Sequence, residues 1–170
     1  MSNASVLFVC LGNICRSPTA HGVFEKMVNE AGLQQSITVD SCGTGDWHIG
    51  HSPDERSASA ALARGYDLSH LRSRQINSND FNQYDYILVM DQQNLLDVQA
   101  MCPSDYSGKL ELFLDYANNF SEATEVPDPY YGGLSGFDNV IDLVEDASTT
   151  LLSTLTSSLQ LATSNNANHD

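Results

Sequence analysis

Positive charge is scarce in this sequence: seven Lys and Arg side chains stand against 22 Asp and Glu, a formal net charge of −15. A field of that sign repels polyanions, which excludes nucleic acid and anionic membrane surfaces as partners. It repels phosphorylated compounds too, so a site for a phosphoryl group has to be a local electropositive feature built from backbone dipoles and a cation or two. Cysteine is also sparse. Cys10, Cys15, Cys42 and Cys102 are too few and too irregularly spaced for a secreted disulfide framework, and read as buried thiols or as chemistry in a reducing compartment. Long apolar runs are missing as well. Hydrophobic residues make up 41%, yet no run nears the roughly 18 residues of a membrane span, so this material is expected in a folded interior. The opening Met-Ser-Asn-Ala-Ser has no basic region, and the apolar stretch after it ends at Gly12, too short for the core of a signal peptide. The cytoplasm is the expected location. The five histidines have no ligand spacing with cysteine; His48 and His51 read as solvated loop residues, and neither a metal nor another cofactor is expected.

At 170 residues the chain has the size of one domain with its own core. Residues 5–9, Ser-Val-Leu-Phe-Val, predict a buried strand that runs into a Gly/Asn loop. Ser17-Pro18 predicts a helix start with Ser17 as N-cap and Pro18 at the first position, followed by an apolar stripe of Ala20, Val23, Phe24 and Met27 that stops before Gly32. Further strands are predicted at 36–40, 86–90 and 109–113, with helices from Ser52 to Gly65, from Asp91 onward, and from Phe137 to Leu161. Alternating strands and helices predict an α/β fold: a single domain with a four-stranded, twisted parallel sheet, helices on both faces, and a phosphate-binding loop after the first strand. Residues 1–163 form the expected domain, and 164–170, polar and free of aromatics, a disordered tail.

The segment Cys10-Leu11-Gly12-Asn13-Ile14-Cys15-Arg16-Ser17 lies between the first strand and the first helix. There, successive backbone N–H groups can converge on one anion while the helix N-terminus adds partial positive charge. The donors that would hold a phosphate also favour a thiolate over a thiol at Cys10. Arg16 offers a planar fork that matches two phosphoryl oxygens. Gly12 permits close backbone approach, Asn13 tolerates a left-handed conformation, and the Ser17 hydroxyl can reach Cys10. Cys15, five residues beyond Cys10 on the same tight loop, comes within bridging range if the loop wraps one anion. Farther along, Val126-Pro-Asp-Pro-Tyr-Tyr-Gly-Gly133 stiffens Asp128 between two prolines, a mount suited to a proton donor, although Asp before Pro more often just forms a turn. Trp47, Tyr130 and Tyr131 are large rings in loop contexts, able to line a slot for a phenyl group or simply to pack.

The stretch Val9-Cys10-Leu11-Gly12-Asn13-Ile14-Cys15-Arg16-Ser17-Pro18 resembles the phosphate-binding loop of low-molecular-weight protein tyrosine phosphatases. Asp46-Trp47 with Ser52-Pro53-Asp54, Ser73-Arg74-Gln75-Ile76, the Phe81 to Asp91 region and Asp128-Pro129-Tyr130-Tyr131-Gly132 resemble segments of that family in the same order, over roughly Val6 to Leu161. The resemblance implies a phosphoric monoester hydrolase acting on tyrosine-phosphorylated proteins, a monomer or weak dimer. Cys10 is then the nucleophile, Arg16 the phosphate clamp and Asp128 the general acid and base. Leu11, Gly12, Asn13, Ile14, Cys15 and Ser17 bind phosphate, and Trp47, Tyr130 and Tyr131 line the substrate pocket. It also implies that Cys15 protects Cys10 by reversible disulfide formation. The family's supporting His stands three residues before the Arg of Ser73-Arg74-Gln75, whereas His70 stands four before it; His70 and Ser41, as supports of Asn13 and Ser17, stay outside the assigned site. Two rivals share the architecture. An arsenate reductase needs further relay cysteines, for which only Cys102 is at hand. Protein-arginine phosphatases carry Thr where Ile14 stands and lack the paired tyrosines.

Overall fold

The computed structural model describes residues 3–130 and 132–167, with side chains as far as residue 160. In chain order it runs β1 (Ala4–Cys10), α1 (Arg16–Glu30), β2 (Ile37–Gly43), α2 (Glu55–Ala63), a short α3 (Asp80–Gln83), β3 (Tyr86–Val89), α4 (Gln92–Gln99), β4 (Lys109–Leu112), a 3-10 turn at Phe113–Tyr116, and α5 (Ser135–Ala167). The strands form one sheet in the order β2-β1-β3-β4, every pair parallel. This is the expected α/β architecture. Because β1 is central, both its faces are covered, which is why it reads as an unbroken apolar run instead of an alternating one.

Alternation along β1 divides the core in two. Val6, Phe8 and Cys10 face a layer that includes Val23 and Phe24 of α1 and Ile141, Val144 and Leu151 of α5. Leu7 and Val9 face the opposite layer with Phe81 of α3, Val98 of α4 and Cys42. Phe8 packs edge-on against Phe24 and Phe113, with ring centroids 5.8 and 4.9 Å away. Burying a ring of this size stabilises the fold by about 1.5–3 kcal/mol. No described helix is long and apolar enough to cross a membrane.

Three helix starts differ from or refine the sequence expectation. Helix α1 begins at Arg16 with Cys15 in the cap position and no side-chain cap bond. Ser17 is not the cap, because its hydroxyl is turned inward to Cys10, Asn13 and the Cys42 carbonyl. Helix α2 begins later than Ser52, capped by Asp54, whose carboxylate accepts from the N–H groups of Arg56 and Ser57. Helix α4 begins, as expected, beside Asp91, which forms a capping box with Asn94: Asn94 N donates to Asp91 Oδ1 at 2.7 Å, and Asp91 N donates to Asn94 Oδ1 at 3.2 Å. Helix α5 continues to Ala167; residues 168–170, the end of the expected tail, lie outside the described residues.

Candidate active site

The loop from Cys10 to Arg16 leaves the carboxyl end of β1, in the crevice of a parallel sheet where ligands characteristically bind. Neighbouring segments tie down its carbonyls. Thr44 N donates to Cys10 O and Gly45 N to Leu11 O, both at 2.9 Å; Asp54 N donates to Ile14 O at 2.8 Å. The Ser73 hydroxyl donates to Gly12 O at 3.0 Å, and the Thr19 hydroxyl to Cys15 O at 2.7 Å. With the carbonyls of Cys10, Leu11, Gly12, Ile14 and Cys15 engaged by neighbouring groups, the loop can turn amides toward its inner side, the condition for an anion cradle. Asn13 N is one of them and donates to Cys10 Sγ at 3.3 Å.

The left-handed turn this wrapping requires falls on Asn13, the one described non-glycine residue with positive φ, at 56°. Its side chain repays the conformation: Nδ2 donates to Ser17 Oγ at 2.8 Å, and Oδ1 accepts from Arg74 N at 3.1 Å. Gly12 is needed for space instead, because a Cβ there would come within 3.1 Å of the His48 ring. His48, read from sequence as a solvated loop residue, is half-buried and lines the site. Gly43, at the end of β2, allows the loop to pass: a Cβ there would sit 2.6 Å from Leu11 O.

Cys10 lies at the bottom of the loop, only 2% exposed, with Ser17 Oγ 3.0 Å from its sulfur. Arg16 is buried beside it. Its Nη1 donates to Asp91 Oδ2 at 2.6 Å and to Val126 O at 3.1 Å, and its Nη2 is 3.7 Å from Asp128 Oδ2. Burial works against the guanidinium charge, but Cys10, Asp91 and Asp128 outweigh it and hold Arg16 above its usual value. Asp128 is more exposed; its Oδ1 accepts from Tyr130 N at 3.0 Å, closing a turn over the cradle. A cavity of about 440 Å³ collects these groups, with Cys10 and Arg16 below, Leu11, Gly12, Ile14 and Cys15 along the loop, and Trp47, His48, Asp128 and Tyr130 above. That volume suits a ligand of modest size.

Of the residues singled out from sequence, the cavity brings together Cys10, Leu11, Gly12, Ile14, Cys15, Arg16, Trp47, Asp128 and Tyr130. Asn13 and Ser17 stand behind its wall. Tyr131 lies outside the described residues. His70 and Ser41 do not support Asn13 or Ser17: His70 is largely exposed, 3.8 Å from Glu25, and Ser41 bonds His21 at 3.0 Å. The Arg74 amide and the Cys42 carbonyl do that work. Cys15 is buried, and burial first, then the charges of Asp54, Cys10 and Asp128, push its thiol up to about 12 despite a Ser57 hydrogen bond. Burial likewise pushes Cys42 well up.

A family model described as low molecular weight phosphotyrosine protein phosphatase matches residues 5–161. The chain belongs to that family. It is 46% identical over 145 residues to the low molecular weight phosphotyrosine protein phosphatase of Schizosaccharomyces pombe, covering 84% of this chain and 92% of that protein. A protein tyrosine phosphatase from Entamoeba histolytica, solved with Hepes in its active site, superposes with a TM-score of 0.88 at 40% identity, covering 92% of this chain and 99% of that one. A Drosophila arginine phosphatase also superposes, with a TM-score of 0.82 at 30% identity, over 88% of this chain and 96% of its own. The family assignment therefore agrees with the resemblance carried by the loop and the Asp-Pro-Tyr segment.

Proposed function

We propose that this family member hydrolyses phosphotyrosine in proteins through a cysteinyl-phosphate, without a metal or other cofactor. The observation that carries the reading is the meeting of Cys10 Sγ, the Arg16 fork and the Asp128 carboxylate at one cavity whose floor is a loop with its carbonyls engaged outward. In the first step the Cys10 thiolate attacks phosphorus, an S–P bond forms and the P–O bond to the ring breaks. Asp128 delivers its proton to the departing phenolate oxygen, which as the base of an acid of pKa about 10 leaves poorly unaided. The loop amides and Arg16 carry the charge on the transferring phosphoryl oxygens. In the second step Asp128 takes a proton from water, the water oxygen bonds to phosphorus, and the S–P bond breaks. Inorganic phosphate leaves and the thiolate is restored beside the Ser17 hydroxyl.

Depth supports a tyrosine substrate. The sulfur is buried while Trp47 and Tyr130 are exposed at 67% and 39%, so a flat ring can lie between rim and floor where a phosphoserine stem is too short. Ile14 favours phosphotyrosine over phosphoarginine. The same reading makes the protein a cytoplasmic monomer or weak dimer, in a compartment that keeps Cys10 reduced. Turnover of phosphotyrosine, phosphoarginine and arsenate by purified protein in excess chelator tests it. Hydrolysis of phosphotyrosine that persists with chelator and vanishes in Cys10→Ser is expected; dominant arsenate reduction, or loss of activity with chelator, contradicts it.

A further inference from the structure

The loop that bears Asp128 is irregular and mostly exposed, yet a general acid has to be held within a fraction of an ångström of its target. On one side it is secured at Val126, which is fully buried; its N–H donates to Met90 O at 2.8 Å and its carbonyl accepts from Arg16. Asp128 stands two residues farther on. Two residues farther again, the Tyr130 ring lies under the Arg56 guanidinium, whose Cζ is 5.2 Å from the ring centroid.

Arg56 is itself fixed. Its Nε and Nη2 donate to the two carboxylate oxygens of Asp54 at 3.2 and 3.0 Å, a two-point grip that sets the plane of the fork. The same guanidinium lies 4.8 Å from the centroid of the Phe137 ring, which is buried in the first turn of α5. Asp54 in turn is joined to the cradle, because its N–H donates to Ile14 O at 2.8 Å. An unbroken series of contacts thus runs from the cradle through Asp54 and Arg56 to Tyr130, whose N–H holds the Asp128 carboxylate at 3.0 Å.

We propose that Arg56 is a positioning residue for the acid loop: gripped by Asp54 and lying over the Tyr130 and Phe137 rings, it sets where Asp128 stands above Cys10. It is not among the residues that line the cavity. A cation is attracted to the face of an aromatic ring, and two such faces together with a two-point carboxylate grip fix the ring and the turn that follows from it. The inference rests on Asp128 being the acid. Lys in place of Arg56 keeps the charge over the rings and loses the planar grip.

The test separates leaving groups. The ratio kcat/KM covers the steps up to loss of the aryl group, so help from an acid shows for phosphotyrosine and not for a dinitrophenyl phosphate, whose leaving group departs as an anion. Arg56→Ala is expected to lower kcat/KM about ten-fold for phosphotyrosine and less than about two-fold for dinitrophenyl phosphate. Arg56→Lys falls between, and Arg56→Ala adds no further selectivity in an Asp128→Ala background. The ratio between the two substrates is independent of how much of a sample is folded, so a poorly folding variant still gives an answer. An equal loss on both substrates, or a further selective loss in the Asp128→Ala background, overturns the proposal. Should Asp128→Ala itself show no dependence on the leaving group, the acid assignment fails and the positioning role with it. Selectivity lost in Asp128→Ala but kept in Arg56→Ala removes the Arg56 role alone.

Discussion

Arg16 Nη1 donates to Asp91 Oδ2 at 2.6 Å, joining the first residue of α1 to the cap of α4 across the carboxyl edge of the sheet. The pair serves two ends at once, because the other oxygen of Asp91 accepts from Asn94 N. Asp91→Asn can keep the cap but offers its amide, a donor, to the guanidinium. Asp91→Ala loses both. Each variant is expected to lower kcat/KM for an aryl phosphate at least about ten-fold, since Arg16 no longer has its fork aimed. Urea titration should find the Ala variant less stable than the Asn variant by about 1 kcal/mol, the usual worth of an N-cap. Equal stabilities, or an Asn variant with unimpaired turnover, contradict this division of labour.

How far the site could be read from sequence depended on what lay close along the chain. The cradle was legible because Cys10, Gly12, Asn13, Arg16 and Ser17 fall within one stretch of eight residues, and strand-loop-helix order fixes their meeting. Asp91 was read only as the beginning of a helix. Its second role follows from register: Val9 pairs with Val89, so Cys10 runs beside Met90 and the next residue arrives at the cradle. Nothing local announces that. Ser17 was misread as a cap because its preference for helix starts is real, while the buried sulfur that claims its hydroxyl is seven residues away. The overlay of Gly12 by His48 and the seating of Arg56 over Tyr130 and Phe137 also depend on segments whose mutual placement only the fold supplies.

Asn13 offers a check on the cradle's backbone. Replacing it with Ala puts a Cβ-bearing residue without local compensation at φ 56° and leaves the Arg74 amide without its side-chain acceptor. The left-handed conformation costs about 1–2 kcal/mol, and an amide left unsatisfied in the interior about 1–3 kcal/mol. Asn13→Gly relieves the first cost and not the second. Thermal or urea denaturation is expected to rank the wild type above Gly and Gly above Ala, with turnover reduced in both because Ser17 loses a partner. Ala as stable as Gly argues against the left-handed turn.

The cysteines should separate by reactivity. Iodoacetamide at neutral pH is expected to alkylate Cys10 and to spare Cys15, whose thiol is pushed up to about 12, with inorganic phosphate protecting the target. Tandem mass spectra of the peptide ending at Arg16 tell the two apart. The same feature bears on oxidation. A resolving thiol attacks as its thiolate, so disulfide closure between Cys15 and oxidised Cys10 should be slow at pH 7 and accelerate as pH rises. Label on Cys15, or closure insensitive to pH, counts against the reading.

Asp146 of α5 predicts a pH dependence of stability. It is buried, and burial alone raises its pKa, but the N–H groups of Asn119, Phe120 and Asn118 at 2.9–3.0 Å outweigh this and hold it below the ordinary value. A folded-state value below the unfolded one means stability that is complete above the unfolded pKa of about 3.9 and is lost as pH falls through the folded value. Asp146→Asn should therefore be less stable than wild type by about 1–2 kcal/mol at pH 7, with the gap closing below about pH 4. Denaturation at pH 7, 5 and 3 measures it. A gap that persists unchanged at pH 3 assigns the loss to packing instead of charge.

The net charge of −15 makes salt a test of how the site overcomes the molecule around it. Substrate phosphate approaches through a repulsive field that acts over many ångströms and is screened with a Debye length of about 10 Å at 0.1 M. The Arg16 guanidinium and the loop amides act at contact, in a buried crevice where screening is weak. Raising ionic strength therefore removes more repulsion than attraction. From 0.02 to 0.15 M of a salt whose anion does not compete for the cradle, kcat/KM for a dianionic aryl phosphate is expected to rise about two- to three-fold while kcat changes little. A tyrosine-phosphorylated peptide with several flanking lysines should show the reverse, because the surface then attracts it. A fall for the dianion would mean that the field at the cavity mouth is positive, set by Arg16 and Arg56 and not by the acidic exterior.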